Sequence, residues 1–130
     1  MNNSKENMIT GRTLLIVDDS SIIIERLLDA LKDHPTIRSI LTATNYDEAV
    51  EVIDGNKPDI VLLDIQLTGK NGIDLLKYIK QRFPEVKVIM FTNHADDNYF
   101  KLCKQLGALY CVDKSKDFDK IPGMLATVSE

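Results

Sequence analysis

Apolar residues in this chain follow two patterns that take turns along its length. The first is a short, mainly apolar run: RTLLIV at Arg12–Val17, DIVLL at Asp59–Leu63, continuous from Ile60, and VKVIMF at Val86–Phe91. Runs of that length without alternation read as strands covered on both faces. Ile37–Thr44 is more polar and reads as a strand at a sheet edge, and Ala108–Val112 reads as a short fifth strand. The second pattern has helical spacing. In SSIIIERLLDALKDH, Ile23 or Ile24, Leu27, Leu28 and Leu31 share a face, an Asp or Ser at the start offers an N-cap oxygen, and Pro35 stops the helix. Asp47–Asp54 turns Ala49, Val50 and Ile53 inward and is closed by Gly55. After Asn71-Gly72, a stripe of Leu75, Leu76, Ile79 and Phe83 runs to Pro84. Ala95–Leu106 is a helix of weaker amphipathy, with Gly107 just past its end. Phe118, Ile121, Leu125 and Val128 keep helical spacing across Pro122 and Gly123. Because proline is tolerated only in a first turn, irregular or 3₁₀ structure is expected near 116–120, with the regular helix starting at Lys120 or Ile121.

Five strands alternating with five helices imply right-handed crossovers and a parallel sheet with helices on both faces, an α/β doubly wound fold. The strand order 2-1-3-4-5 is taken over as a common order of such sheets and does not follow from the residues. It makes strands 1 and 3 neighbours, and the chain reverses direction between them. A crevice opens at that point, on the carboxyl edge of the sheet. Residues 1–11 read as a flexible leader and 12–130 as one domain.

Composition narrows the function. The 130 residues carry a net charge of −4, with 44% hydrophobic and 28% charged residues, as in an ordinary soluble domain. No basic cluster supports nucleic-acid binding. No apolar stretch approaches the ~20 residues of a membrane span, and the polar start MNNSKENMITGR lacks the apolar core of a secretory signal. A cytoplasmic location is the expectation. Cys103 and Cys111 match no metal motif and read as reduced, buried thiols.

The chemistry-bearing residues stand directly after apolar runs. Asp18-Asp19 follow the first strand, Asp64 the third and Thr92 the fourth, while Lys114 lies just beyond the fifth. The sheet brings them to one edge. Crowded carboxylates repel one another unless a cation intervenes, and oxygen ligands with room for water suit Mg²⁺. A carboxylate can itself be a nucleophile and form an aspartyl phosphate. An incoming phosphoryl group then needs positive charge and donors, which Lys114 and the Thr92 hydroxyl supply.

On these residues the sequence resembles the receiver domain of two-component response regulators, the CheY-like, flavodoxin-like (βα)₅ family, over residues 12 to about 129. The acidic pair matches Asp18 and Asp19, the phosphoacceptor Asp64, the switch hydroxyl Thr92 and the conserved lysine Lys114, with Gly72 and Gly107-Ala108 in step. The resemblance implies that Asp19 ligates Mg²⁺ directly, that Asp18 acts largely through water, and that the Gln66 backbone carbonyl completes the protein ligands. It also implies that a sensor histidine kinase or histidine phosphotransfer protein donates the phosphoryl group. The expected protein is a single-domain phosphoacceptor signalling protein and not an enzyme. Its output would be a phosphorylation-dependent contact with another protein through helix 4, strand 5 and helix 5, as a monomer or a phosphorylation-dependent dimer.

Four positions depart from the family pattern. Thr68 stands where a proline is usual, and Ser115 replaces the proline after the lysine, so a trans Lys114–Ser115 bond is expected. Asn93 replaces the small residue after the switch hydroxyl and could narrow access to Asp64. Cys111 occupies the switch-aromatic position, with Tyr110 expected to point to the other side of the strand. In the family, the positions of Gln66 and His94 tune phosphoryl lifetime. Taken singly, Asp18, Asp19 and Thr92 read as helix caps, Lys114 as a solvated lysine and His94 as a loop histidine; the joint spacing favours the functional reading. His34 reads as a surface residue. Two other functions stay open. One is a receiver-like adaptor that binds partners without phosphorylation. The other is an aspartate-nucleophile phosphatase, which would need an acid where Gln66 stands.

Overall fold

In a computed structural model, the residues described are 11–67, 70–93 and 96–128. Five strands, β1 (Arg12–Val17), β2 (Ile37–Ala43), β3 (Ile60–Leu63), β4 (Lys87–Thr92) and β5 (Tyr110–Asp113), form one parallel sheet in the order β2-β1-β3-β4-β5. The helices are α1 (Ser21–Leu31), α2 (Tyr46–Asn56), α3 (Gly72–Arg82), α4 (Asp97–Gln105) and α5 (Ile121–Val128). The expected order and edge position of β2 are both observed.

The sheet divides the core in two. Leu14, Ile16, Ile60, Leu62, Ile89, Phe91 and Val112 face one way, against Ile24, Leu27 and Leu31 of α1 and Ile121, Leu125 and Val128 of α5. Leu15, Val17, Val61, Leu63, Val88 and Met90 face the other, against Ala49 and Ile53 of α2, Leu75, Leu76 and Ile79 of α3 and Cys103 of α4. All four residues of β3 are buried, which is why its run shows no alternation. Each buried aliphatic side chain contributes roughly 1.5–3 kcal/mol, so the two faces together hold the layers.

Helix ends follow local chemistry. Ser20, Asn45, Asn71 and Asp96 each cap the helix that follows by accepting an amide of its first turn. A 3₁₀ turn at Phe118–Lys120 leads into α5, placing Pro122 in the first turn as expected. Gly107 has φ 105°, the left-handed conformation that suits glycine after a helix.

Several boundaries differ from expectation. α2 does not close at Gly55 but continues to Asn56, and Lys57 takes the left-handed turn at φ 47° with its amide bonded to the Ile53 carbonyl. Asp59 precedes β3, and β5 starts at Tyr110, because Ala108 belongs to the turn and donates its amide to the Cys103 carbonyl. His34 is also not a free surface residue. It is half-buried, with Nδ1 accepting the Thr36 amide at 3.2 Å and Nε2 2.8 Å from the Pro122 carbonyl, so it ties the α1–β2 loop to α5. Among the described residues no peptide bond is cis, so Lys114–Ser115 is trans, as expected. No helix among them is long and apolar enough to cross a membrane. The expected leader at 1–11 falls outside the described residues except for Gly11.

Candidate functional site

Parallel register aligns the strand ends. Val17 lies opposite Leu63, Leu63 opposite Met90, and Thr92 opposite Asp113. The ladder continues into the residues beyond: the Asp64 amide donates to the Val17 carbonyl at 3.0 Å, the Asp18 amide to Ala43 at 3.1 Å and the Lys114 amide to Thr92 at 3.1 Å. Asp18, Asp19, Asp64, Thr92 and Lys114 therefore emerge at one edge, as the topology requires. Behind Asp64, the first residue of α3 presses on the loop. A Cβ at Gly72 would overlap the Asp64 carbonyl oxygen, so this position admits only glycine.

Burial separates the acids. Asp18 and Asp64 are 1% and 5% exposed and Thr92 is fully buried, whereas Asp19 faces solvent. One carboxylate oxygen from each of Asp18, Asp19 and Asp64 lies within 4.8 Å of the others. The Lys114 ammonium sits between two of them, donating to Asp64 Oδ2 at 2.9 Å and lying 2.6 Å from Asp18 Oδ2. The second contact is a close charge pair, and Lys114 is the cation that meets Asp18 Oδ2. The other oxygens are anchored by backbone: Asp18 Oδ1 accepts the Ser20 amide at 2.9 Å and Asp64 Oδ1 the Gln66 amide at 3.3 Å.

Titration follows this packing. Burial pushes the Asp18 carboxyl above its ordinary value, outweighing the lowering by Lys114 and the Ser20 amide. Burial also acts on Lys114, pulling it down, but its bonds to Asp18 and Asp64 prevail and its net shift is upward. The site thus holds more carboxylate than one ammonium neutralises. Three clustered carboxylates facing a single ammonium form the all-oxygen donor set that suits a hard divalent cation such as Mg²⁺.

The remaining anticipated residues line the rim. Gln66 is exposed on the loop after β3. Asn93 is exposed beside Thr92, and its Oδ1 accepts the Ser115 hydroxyl at 3.2 Å. Cys111 is half-buried, less enclosed than expected, and packs on the same side of the sheet as Cys103, while Tyr110 packs on the opposite side, as expected. Burial raises the Cys103 thiol, and burial together with Cys103 pushes Cys111 up to about 12. Thr68 and His94 lie outside the described residues. The pattern reading missed Asp113 and Asp117, which organise the turn bearing Lys114. The only signal was two acids four apart after an apolar strand.

A family model of the response regulator receiver domain matches residues 14–126. The chain belongs to that family. Its receiver domain is 34% identical over 115 residues to the transcriptional regulatory protein LnrK of Bacillus subtilis (strain 168), covering 88% of this chain and 52% of that protein. It is 35% identical over 118 residues to the DNA-binding transcriptional regulator NtrC of Escherichia coli (strain K12), covering 87% of this chain and 24% of that one. The chain thus spans about half, or less, of the length of these relatives. Among solved structures it is similar to the signal receiver domain of a putative Luxo repressor protein from Vibrio parahaemolyticus, with TM-score 0.85, 25% identity and coverage of 92% and 90% of the two chains. It is also similar to the response regulator domain of Thermotoga maritima CheB, with TM-score 0.79, 27% identity and coverage of 92% and 93%. Receiver domains are signalling modules of two-component systems, for which phosphorylation and Mg²⁺ binding are characteristic.

Proposed function

We infer that Asp64 accepts a phosphoryl group from a phosphohistidine of a sensor kinase or phosphotransfer protein, and that the resulting acyl phosphate changes this protein's contacts with a partner protein. One observation carries the reading: a buried aspartate stands among two further carboxylates and is held by a lysine ammonium 2.9 Å away. An Asp64 oxygen attacks phosphorus, the P–N bond of the donor breaks, and a mixed anhydride forms while the donor imidazole takes up a proton. Asp18, Asp19, Asp64 and the Gln66 carbonyl would hold Mg²⁺. When bound, that ion supplies charge neutralisation for the attacking carboxylate and the phosphoryl oxygens. Lys114 is placed to exchange a carboxylate oxygen for a phosphoryl oxygen, and the Thr92 hydroxyl donates to another. Such donors are cytoplasmic, and the protein works there.

Incubation with acetyl phosphate and Mg²⁺ tests this directly. Intact-mass analysis should show one added phosphoryl group that Asp64→Ala abolishes and that wild type loses spontaneously over time. Lys114→Ala should still be phosphorylated but should not change partner affinity when it is; a partner response in that variant would remove Lys114 from the relay. The second reading, an adaptor that binds partners unmodified, draws on the ammonium that already joins Asp18 to Asp64. It predicts no mass shift at all.

A further inference from the structure

Lys114 must be aimed at the carboxylates from a turn that carries no proline and lies at the surface. Every backbone amide of that turn has a partner. The Asp113 amide donates to Asp117 Oδ2 at 2.9 Å, the Lys114 amide to the Thr92 carbonyl at 3.1 Å, and the Asp117 amide to the Asp113 carbonyl at 2.9 Å. The Ser115 and Lys116 amides both donate to Asp113 Oδ1, at 2.8 and 2.9 Å. Three of these five donors end on the carboxylates of Asp113 and Asp117. A backbone amide prefers a charged acceptor, so these are the stronger bonds of the set. Asp117 Oδ1 also lies 3.2 Å from the Lys120 ammonium, which fastens the turn to the 3₁₀ segment. The bond from the Asp113 amide, reinforced by Lys120, holds the Asp117 carboxyl below its ordinary value, so it stays an ionised acceptor. Across the gap, the Ser115 hydroxyl reaches Asn93 beside Thr92. The side-chain network therefore brackets Lys114 on both sides in sequence, while Lys114 itself makes no bond to it beyond the sheet ladder.

We propose that Asp113 and Asp117 are positioning residues for Lys114, fixing the 113–117 turn so that the ammonium is presented between Asp18 and Asp64. The proposal deepens the phosphoacceptor reading, on which its kinetic consequence rests, but its structural core can be checked without phosphorylation. A freely rotating lysine reaches the same volume only part of the time, and a displacement of about 1 Å can cost as much as ~100-fold in a group-transfer step. Neither aspartate belongs to the cluster of Asp18, Asp19 and Asp64, and the carboxylates of both are taken up by backbone amides of the turn.

The experiment uses the full chain with Asp113→Ala, Asp113→Asn, Asp117→Ala and Asp117→Asn. The asparagine variants keep an acceptor oxygen and lose the charge. Two readouts are taken: the ¹⁵N signal of the Lys114 ammonium, visible only while it is sheltered and hydrogen-bonded, and the rate of phosphoryl uptake from acetyl phosphate, with Mg²⁺ affinity measured alongside. The alanine variants should lose the ammonium signal and take up phosphoryl groups about tenfold or more slowly, with unchanged Mg²⁺ affinity, and Asp113→Asn should recover most of both. Alanine variants that keep the signal and the rate overturn the proposal. So does a parallel loss of Mg²⁺ affinity, which would mean general collapse of the site, and so does failure of Asp113→Asn to recover what Asp113→Ala loses. If wild type takes up no phosphoryl group, the functional reading falls while the ammonium signal still decides the positioning role.

Discussion

β3 has an aspartate at each end, and the two have opposite fates. Asp59, before the strand, is exposed, and all its contacts are structural: Oδ2 accepts the Thr13 amide at 2.8 Å, its own amide donates to the Thr13 carbonyl at 2.9 Å, and its carbonyl accepts the Lys87 amide at 3.0 Å. It stitches β1, β3 and β4 together where the strands begin. Asp64, after the strand, is buried; one oxygen takes a long bond from the Gln66 amide and the other faces Lys114. The same side chain at two ends of one strand is thus a fastening in one place and, on the proposed function, the phosphoacceptor in the other. Identity does not decide this. What decides it is whether the carboxylate oxygens face neighbouring backbone, which has nothing better to do, or other charges, which can be exchanged.

That contrast can be pressed experimentally. The largest effect belongs to Asp64→Ala, which should lose the acyl phosphate completely while wild type gains it from acetyl phosphate. Next comes Gly72→Ala. Because its Cβ would strike the Asp64 carbonyl, it should cost on the order of 3 kcal/mol in urea denaturation, by strain at the site and not by loss of a charged group. The third prediction concerns the rim. The Cys111 thiol is pushed up to about 12 from 9.0, so above pH 9 the unfolded chain releases a proton that the folded chain retains. Stability should therefore fall as pH rises from 9 towards 12, by up to about 1.4 kcal/mol per pH unit, and Cys111→Ala should flatten that part of the profile. A profile identical in wild type and variant would show the thiol to be solvated. The smallest effect is that of Asp59→Ala: about 1 kcal/mol of stability by denaturation, with phosphoryl uptake unchanged. A slowed uptake in that variant would erase the distinction between the two ends of β3.

The sequence exposed most of this architecture because strands and helices differ in period. The unbroken apolar run before Asp64 and the stripe at Leu75, Leu76 and Ile79 could only be buried in the way observed. The shared edge of the acids was legible too, since a parallel sheet brings its strand ends to one side, but their adjacency rested on the strand order taken over from similar sheets. What stayed hidden depends on side chains meeting backbone in turns. Nothing in the pattern marks Asp113 as the acceptor of two amides, or His34 as a tie to a carbonyl 88 residues away. Nor does it show Lys57 ending α2 in place of Gly55, because helix termination depends on which carbonyl the next amide can reach.

The division of the core by the sheet has one more consequence. In β1, β3 and β4, even and odd positions belong to different halves of the interior: Leu14 and Ile16 against Leu15 and Val17, Ile60 and Leu62 against Val61 and Leu63, Ile89 and Phe91 against Val88 and Met90. Each strand therefore carries a parity as well as a register. Deleting one residue inside β3 would exchange its two faces and deliver Asp64 out of phase with Asp18, whereas a two-residue change would preserve the phase and only shorten the strand. Insertions and deletions in these strands are constrained to pairs, and the loops are where odd numbers can be absorbed.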